Sequence, residues 1–248
     1  MVLRRTVGSR LGLGIVRTAM TDHHVRAELL LTLSDRMVRE ARFEDALAEP
    51  NFRVPVRGFD DLAWLFSSNW LNHRFSRLDL DEAVYLFRLV QAIENPRIAE
   101  LGRFRGGTTI FFAVAGAEVT SIDGNPRQDV WGPQLESTLE RLGVRDRVTL
   151  VVGDTRTHEV GPAPYDLVFF DASVTTEAIR AEIDHWWPAL APGGHAVFRD
   201  GRAQLPHLMQ VQDEVDRFAR TARAERIPDS EVPGCLVHLV KPGFGGHA

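Results

Sequence analysis

Ile98-Ala99-Glu100-Leu101-Gly102-Arg103-Phe104-Arg105-Gly106-Gly107-Thr108-Thr109-Ile110-Phe111-Phe112-Ala113 is the stretch that decides the fold. A short apolar run, a glycine-rich turn and a second apolar run follow without a break. That order reads as a strand at 97–101, a turn, and a helix over about 107–115. Glycine lets the backbone approach a ligand closely, and a helix N-terminus offers free N–H groups to an anion. Asp123 stands 21 residues after Gly102, at the end of the next apolar run. A carboxylate there can accept hydrogen bonds from a ribose diol, so the spacing points to a nucleoside-containing cofactor.

Downstream, short apolar runs continue to alternate with helical stretches. Further strands are expected at 118–122, 147–152, 166–171, 194–199 and 235–241, and helices near 133–142, 174–187 and 206–224. This alternation predicts an α/β fold, a doubly wound and mostly parallel sheet. The last strand follows Pro228 and Pro233 and is expected to add antiparallel at an edge. Upstream, the pattern differs. Residues 22–47 read as an amphipathic helix on Val25, Leu29, Leu33 and Met37, and 51–78 are irregular and aromatic-rich. Asp79 and Glu82 then read as the N-cap and N3 of a helix over about 80–94. We therefore divide the chain into a helical N-terminal extension, 1–95, expected to cap the acceptor side, and a cofactor-binding domain, 96–248.

Composition bounds the function. The 248 residues are 44% hydrophobic and 25% charged, with a net charge of −5, which suits a globular protein and offers no basic field for nucleic acid. Lys241 is the only lysine, which nearly removes a catalytic lysine from consideration. Cys235 is the only cysteine, so neither an internal disulfide nor a cysteine-based zinc cluster can form. That fits a reducing compartment, and a cytoplasmic location is expected. No apolar run is long enough to span a membrane. Residues 1–21 carry four arginines and no acid, and read as a frayed or docking basic segment. A homo-oligomer stays open.

The first turn departs from a dinucleotide fingerprint, because Phe104 stands where a middle glycine belongs. The Glu-x-Gly-x-x-x-Gly pattern instead resembles the class I S-adenosylmethionine-dependent methyltransferases, over about residues 97–241. It is most similar to the branch of small-molecule O-methyltransferases. Ser121-Ile122-Asp123-Gly124-Asn125-Pro126 looks like the family's ribose-binding strand end, and Val151-Val152-Gly153-Asp154-Thr155 like its adenine-side motif. Tyr165–Asp171 and Leu190-Ala191-Pro192-Gly193-Gly194 look like the later motifs. The resemblance implies that Glu100, Gly102, Gly106, Thr108, Asp123, Asp154 and Thr155 bind S-adenosyl-L-methionine, with the Thr108 hydroxyl on its methionine carboxylate. It implies methyl transfer to a hydroxyl of a small molecule such as a sugar or secondary metabolite. The rival readings are a cofactor-binding scaffold without catalysis and a nicotinamide-dependent oxidoreductase.

Asp171 closes the fourth expected strand and Asp200 the fifth, at the edge where open α/β sheets bind ligands. Asp171 is expected between cofactor and acceptor. In metal-dependent relatives, acids at these two ends hold a divalent cation such as Mg²⁺, which makes Asp171 and Asp200 candidate metal ligands. The sequence departs from that pattern in two places. Asp200 is flanked by Arg199 and Gly201 where a further Asn or acid is usual, and Val174 stands where a lysine is common in the catechol type. His73, in the aromatic segment before the cofactor domain, is a second catalytic candidate on the acceptor side.

Overall fold

The computed structural model describes Phe59, Leu62, Leu65 and residues 76–202 and 208–243. The helix expected at 22–47, the basic segment 1–21 and His73 lie outside the described residues. The chain separates into two compact units, 1–50 with 67–73 and 51–66 with 74–248. Everything below concerns the second.

The elements follow in chain order: α1 (Leu80–Gln91), β1 (Arg97–Leu101), α2 (Gly107–Val114), β2 (Glu118–Asp123), α3 (Gln128–Arg141), a 3₁₀ turn (Arg145–Arg147), β3 (Val148–Val152), β4 (Tyr165–Phe170), α4 (Thr176–Trp186), β5 (Leu190–Phe198), α5 (Met209–Ala222), β6 (Glu225–Arg226) and β7 (Val237–Val240). They build a seven-stranded sheet in the order β3-β2-β1-β4-β5-β7-β6. Strands β1 to β5 are parallel, whereas β7 runs antiparallel to both β5 and β6. The expected doubly wound sheet is present. Its last strand is antiparallel as expected but is not the edge, because the two-residue β6 lies outside it. Helix α1, assigned from sequence to the extension 1–95, belongs to the same compact unit as the sheet.

The central strands β1 and β4 are buried on both faces, as crossover helices require, whereas β3 is largely half-buried or exposed. On one face Leu101, Val168, Phe170 and Phe198 pack with Ile179, Ile183, Trp186 and Phe218 from α4 and α5. On the other, Phe112 of α2 meets Phe169 edge-on at 5.7 Å, and Phe111 meets Phe87 of α1 at 5.7 Å. Two histidines and the lysine beside this core are hydrogen-bonded. His195 Nδ1 lies 2.9 Å from His238 Nε2, and His238 Nδ1 lies 2.6 Å from the Tyr85 hydroxyl. His195 is thus hydrogen-bonded and half-buried. Lys241 Nζ donates to the carbonyls of Trp187, Pro188 and Leu190, where α4 ends. A cation at a helix C-terminus meets the negative end of the dipole, so the only lysine has a structural task.

The strand order reverses between β1 and β4. In open α/β sheets that switch point leaves a crevice beyond the carboxyl ends of the strands.

Candidate functional site

The turn after β1 needs its glycines for packing. Gly102 has φ +92°, and a Cβ there would lie 2.5 Å from the Asp171 carbonyl oxygen. Gly106 has φ +84°, and its Cβ would lie 2.4 Å from the Leu135 side chain. Both positions require left-handed backbone with no side chain. Phe104 also has positive φ, at 51°. Its ring is held edge-on by Trp131 at 5.0 Å, with the Arg77 guanidinium 4.4 Å from its centroid. Beneath the turn, buried Arg103 sends Nη1 to the carbonyls of Ser121 and Val151 and Nε to Gln128 Oε1, while Gln128 Nε2 donates to the Phe104 carbonyl.

Asp123 ends β2 and closes this turn. Its Oδ2 accepts the backbone N–H groups of Arg103 at 3.0 Å and Phe104 at 2.8 Å, and Oδ1 accepts that of Asn125 at 2.7 Å. A carboxylate offers about four lone-pair sites, so about one remains, on Oδ1, for an outside donor. A ribose contact using both carboxylate oxygens would need more than that.

A cleft of about 700 Å³ runs across these strand ends. It is lined by Gly102 and Phe104 after β1, by Asp123 at the end of β2 and Gly124 beyond it, by Gly153, Asp154 and Thr155 after β3, and by Asp171 and Ser173 after β4. A Cβ at Gly153 would meet only ordinary contact, with Val151 at 3.8 Å. Asp154 accepts from the Arg156 backbone at 2.9 Å and from its guanidinium, and that partner holds the carboxyl down at about 2. The Thr155 hydroxyl donates to Glu182 Oε1, which also accepts from Ser173 at 2.9 Å. Burial pushes the Glu182 carboxyl up. At the far end, Asp171 Oδ1 accepts from Arg199 Nη1 at 2.9 Å. Burial raises the Asp171 carboxyl, and Arg199 opposes that rise.

Of the seven residues expected to bind cofactor, Gly102, Asp123, Asp154 and Thr155 line the cleft. Glu100, Gly106 and Thr108 do not. The Glu100 side chain is fully buried near the carboxyl end of β1, where Oε2 accepts the hydroxyls of Thr109 and Ser121. Burial pushes its carboxyl up to about 8, so it is held neutral at pH 7, and Oε1 has no partner. Thr108 is buried, with its hydroxyl 3.4 Å from Ser76 Oγ. Asp171 and Asp200 do come together, with Arg199 between them: Nη1 is 2.9 Å from Asp171 Oδ1 and 3.6 Å from Asp200 Oδ2. Among the described residues no group of three or more His, Cys, Asp or Glu side chains is placed to hold a metal.

Sequence reasoning missed Arg103, Gln128, Glu182 and Arg199. Arg199 left a signal, an arginine at the carboxyl edge of a strand beside an acid. Arg103, Gln128 and Glu182 left none, because their partners lie on other elements.

Residues 99–201 match the family model described as a methyltransferase domain. Catechol O-methyltransferase of Mycobacterium tuberculosis is 30% identical over 141 residues, covering 54% of this chain and 61% of that protein. Protein-L-isoaspartate O-methyltransferase of Hyperthermus butylicus is 32% identical over 127 residues, covering 46% of this chain and 48% of that protein. The chain thus covers less than two thirds of the length of either relative. Among solved structures, the O-methyltransferase TomG from Streptomyces achromogenes, involved in tomaymycin synthesis and determined in complex with SAM, has the same fold. Its TM-score is 0.52 at 18% identity, covering 68% of this chain and 83% of that one. No helix among the described residues is long and apolar enough to cross a membrane.

Proposed function

We propose that this chain, which carries a class I methyltransferase domain, transfers the methyl group of S-adenosyl-L-methionine to a hydroxyl of a small molecule. The observation that carries the reading is the cleft itself. It joins the turn after β1, the acid at the end of β2, the Gly-Asp pair after β3 and the acid after β4, which are the strand ends whose motifs resemble the family's.

The residues present fit the cofactor. Gly124 and Gly153 leave the middle of the cleft without side chains, and Asp123 Oδ1 keeps acceptor capacity for a ribose hydroxyl. Asp154 is assigned the adenine side. Phe104 closes the cleft beside the turn. S-adenosylmethionine supplies a methyl group on a sulfonium, an activated donor with a neutral thioether as leaving group.

The protein's share is then positioning and proton handling. Asp171 is assigned the acceptor end, where its carboxylate orients the acceptor hydroxyl and takes its proton. Glu100, Gly106 and Thr108 support the turn and the start of α2. His73 and the aromatic segment around it, together with the cap role of the residues before α1, are assigned to the acceptor side on the sequence pattern alone. The single cysteine is the basis for a cytoplasmic assignment.

Incubation with methyl-tritiated S-adenosylmethionine and a panel of hydroxylated acceptors tests the reading. Label in an acceptor, with matching release of S-adenosylhomocysteine, is expected. Cofactor binding without transfer to any acceptor would favour the scaffold reading.

A further inference from the structure

The two carboxylates that a divalent cation would take are already bridged by a cation of the chain itself. Arg199 places Nη1 against both Asp171 and Asp200, and Nη2 donates to the Arg77 carbonyl at 3.2 Å. Its side chain is only 14% exposed. A guanidinium does not lose its proton in a protein, so this charge is permanent. A metal ion brought to the same two oxygens would have to displace it or stand beside it.

The neighbourhood also lacks room for a further ligand. A Cβ at Gly201 would lie 2.7 Å from Val237 Cγ2, so no ligating side chain fits there without repacking β7. The nearby Glu82 carboxylate is committed elsewhere: Oε1 accepts the Cys235 N–H at 2.8 Å and its thiol at 3.1 Å, and Oε2 accepts the Asp79 N–H at 3.0 Å. The residues present do not fit a divalent cation.

We infer that Arg199 is the resident cation of this strand-end pair, that the site takes no divalent metal, and that Arg199 is a positioning residue which fixes the Asp171 carboxylate at the acceptor end of the cleft. The first two statements stand on the geometry alone. The third rests on the methyl-transfer reading. A divalent ion would leave the two ionised carboxylates neutralised, whereas a guanidinium leaves one negative charge. The site is therefore better suited to accepting a proton from the acceptor than to stabilising a free alkoxide.

Titration of the full chain with Mn²⁺, followed by the electron paramagnetic resonance of the free ion, tests the cation assignment even if no acceptor has been found. No stoichiometric loss of free signal at millimolar Mn²⁺ is expected. Binding of one ion per chain that disappears in Asp200→Asn would overturn the assignment. Where an acceptor is in hand, turnover should be unchanged by excess chelator, and loss in chelator with recovery on adding Mg²⁺ would contradict the inference. For the positioning role, Arg199→Ala is expected to lower kcat by about a hundredfold, as removal of a preorganised charged donor does, with KM for S-adenosylmethionine unchanged. Arg199→Lys should recover part of that loss, because it restores a charge without the fork. Equal loss in both variants, or a loss confined to KM for the cofactor, would remove Arg199 from this role.

Discussion

The ends of β1 to β3 and the ends of β4 and β5 form opposite halves of one edge, and they are built differently. The first half is made of backbone. Gly102 and Gly106 sit at positive φ against packed neighbours, and Asp123 spends both oxygens on backbone N–H groups. The second half is made of long side chains: Arg199 reaches from β5 to Asp171, to Asp200 and to the carbonyl of Arg77. A backbone-built site is shaped by the fold before any ligand arrives. A side-chain-built site can change its chemistry by one substitution and leave the fold in place. One fold can thus keep its cofactor half while the acceptor half varies.

The largest effect should come from Gly102→Val. It combines a β-branched residue at φ +92° with a Cβ 2.5 Å from the Asp171 carbonyl. Strain and overpacking together should cost roughly 2–6 kcal/mol, enough to unfold a marginal domain. A denaturant melt decides. Wild-type stability in this variant would break the claim that the first half is fixed by packing.

Asp123→Ala comes next and should act twice. Loss of an acceptor for three backbone donors lowers stability, and S-adenosylhomocysteine affinity falls about ten- to hundredfold, or roughly 1.4–2.7 kcal/mol. Paired melts and binding titrations would show both. Weakened binding at unchanged stability would mean that the carboxylate serves the ligand and leaves the turn to stand alone.

Glu100 gives a pH signature. Its folded carboxyl is pushed up to about 8 from an ordinary 4.5. Between those values the unfolded chain releases a proton that the folded chain keeps, so ionisation favours unfolding. The group's contribution is therefore whole below about 4.5 and declines as pH rises towards 8, by at most about 1.4 kcal/mol per pH unit. Glu100→Gln imitates the neutral form, and its urea melts at successive pH values should lack that slope. Parallel pH profiles in the two proteins would show that Glu100 is ionised in the fold.

The smallest effect is expected from Asp154→Asn. Its ion pair with Arg156 is solvent-exposed, and such pairs contribute little to stability. Its melt should coincide with wild type while nucleoside binding weakens. A clear loss of stability would extend the structural role of the first half to β3.

How much of this was legible follows from where the signals lie. Strands β1 to β4 announce themselves as apolar runs between turn residues, because burial and turn chemistry are written locally, whereas β5, expected at 194–199, runs Leu190–Phe198 and carries Pro192-Gly193-Gly194 inside it. The strand β6 is only Glu225–Arg226, too short for any periodicity to mark it. Helix α3 begins at Gln128, five residues before the start expected near Pro133. Asn125 accepts the Arg127 N–H and opens the helix early, and Pro133 is carried inside it. In the site, the cleft-lining acids at strand ends were readable from spacing. The buried fates of Glu100 and Thr108 were not, because Ser121, Thr109 and Ser76 approach them through tertiary packing. Arg199 was visible only as a neighbour of Asp200, and its reach back to Asp171 depends on β4 and β5 lying side by side.

The central claim is that the cleft beyond β1 to β4 takes an adenosyl thioether and not a dinucleotide. Calorimetric titration of the full chain with S-adenosylhomocysteine and, separately, with NAD tests it most directly. Saturable single-site heat with S-adenosylhomocysteine and none with NAD is the expected result. Absence of binding by S-adenosylhomocysteine, or saturable binding of NAD, would contradict it.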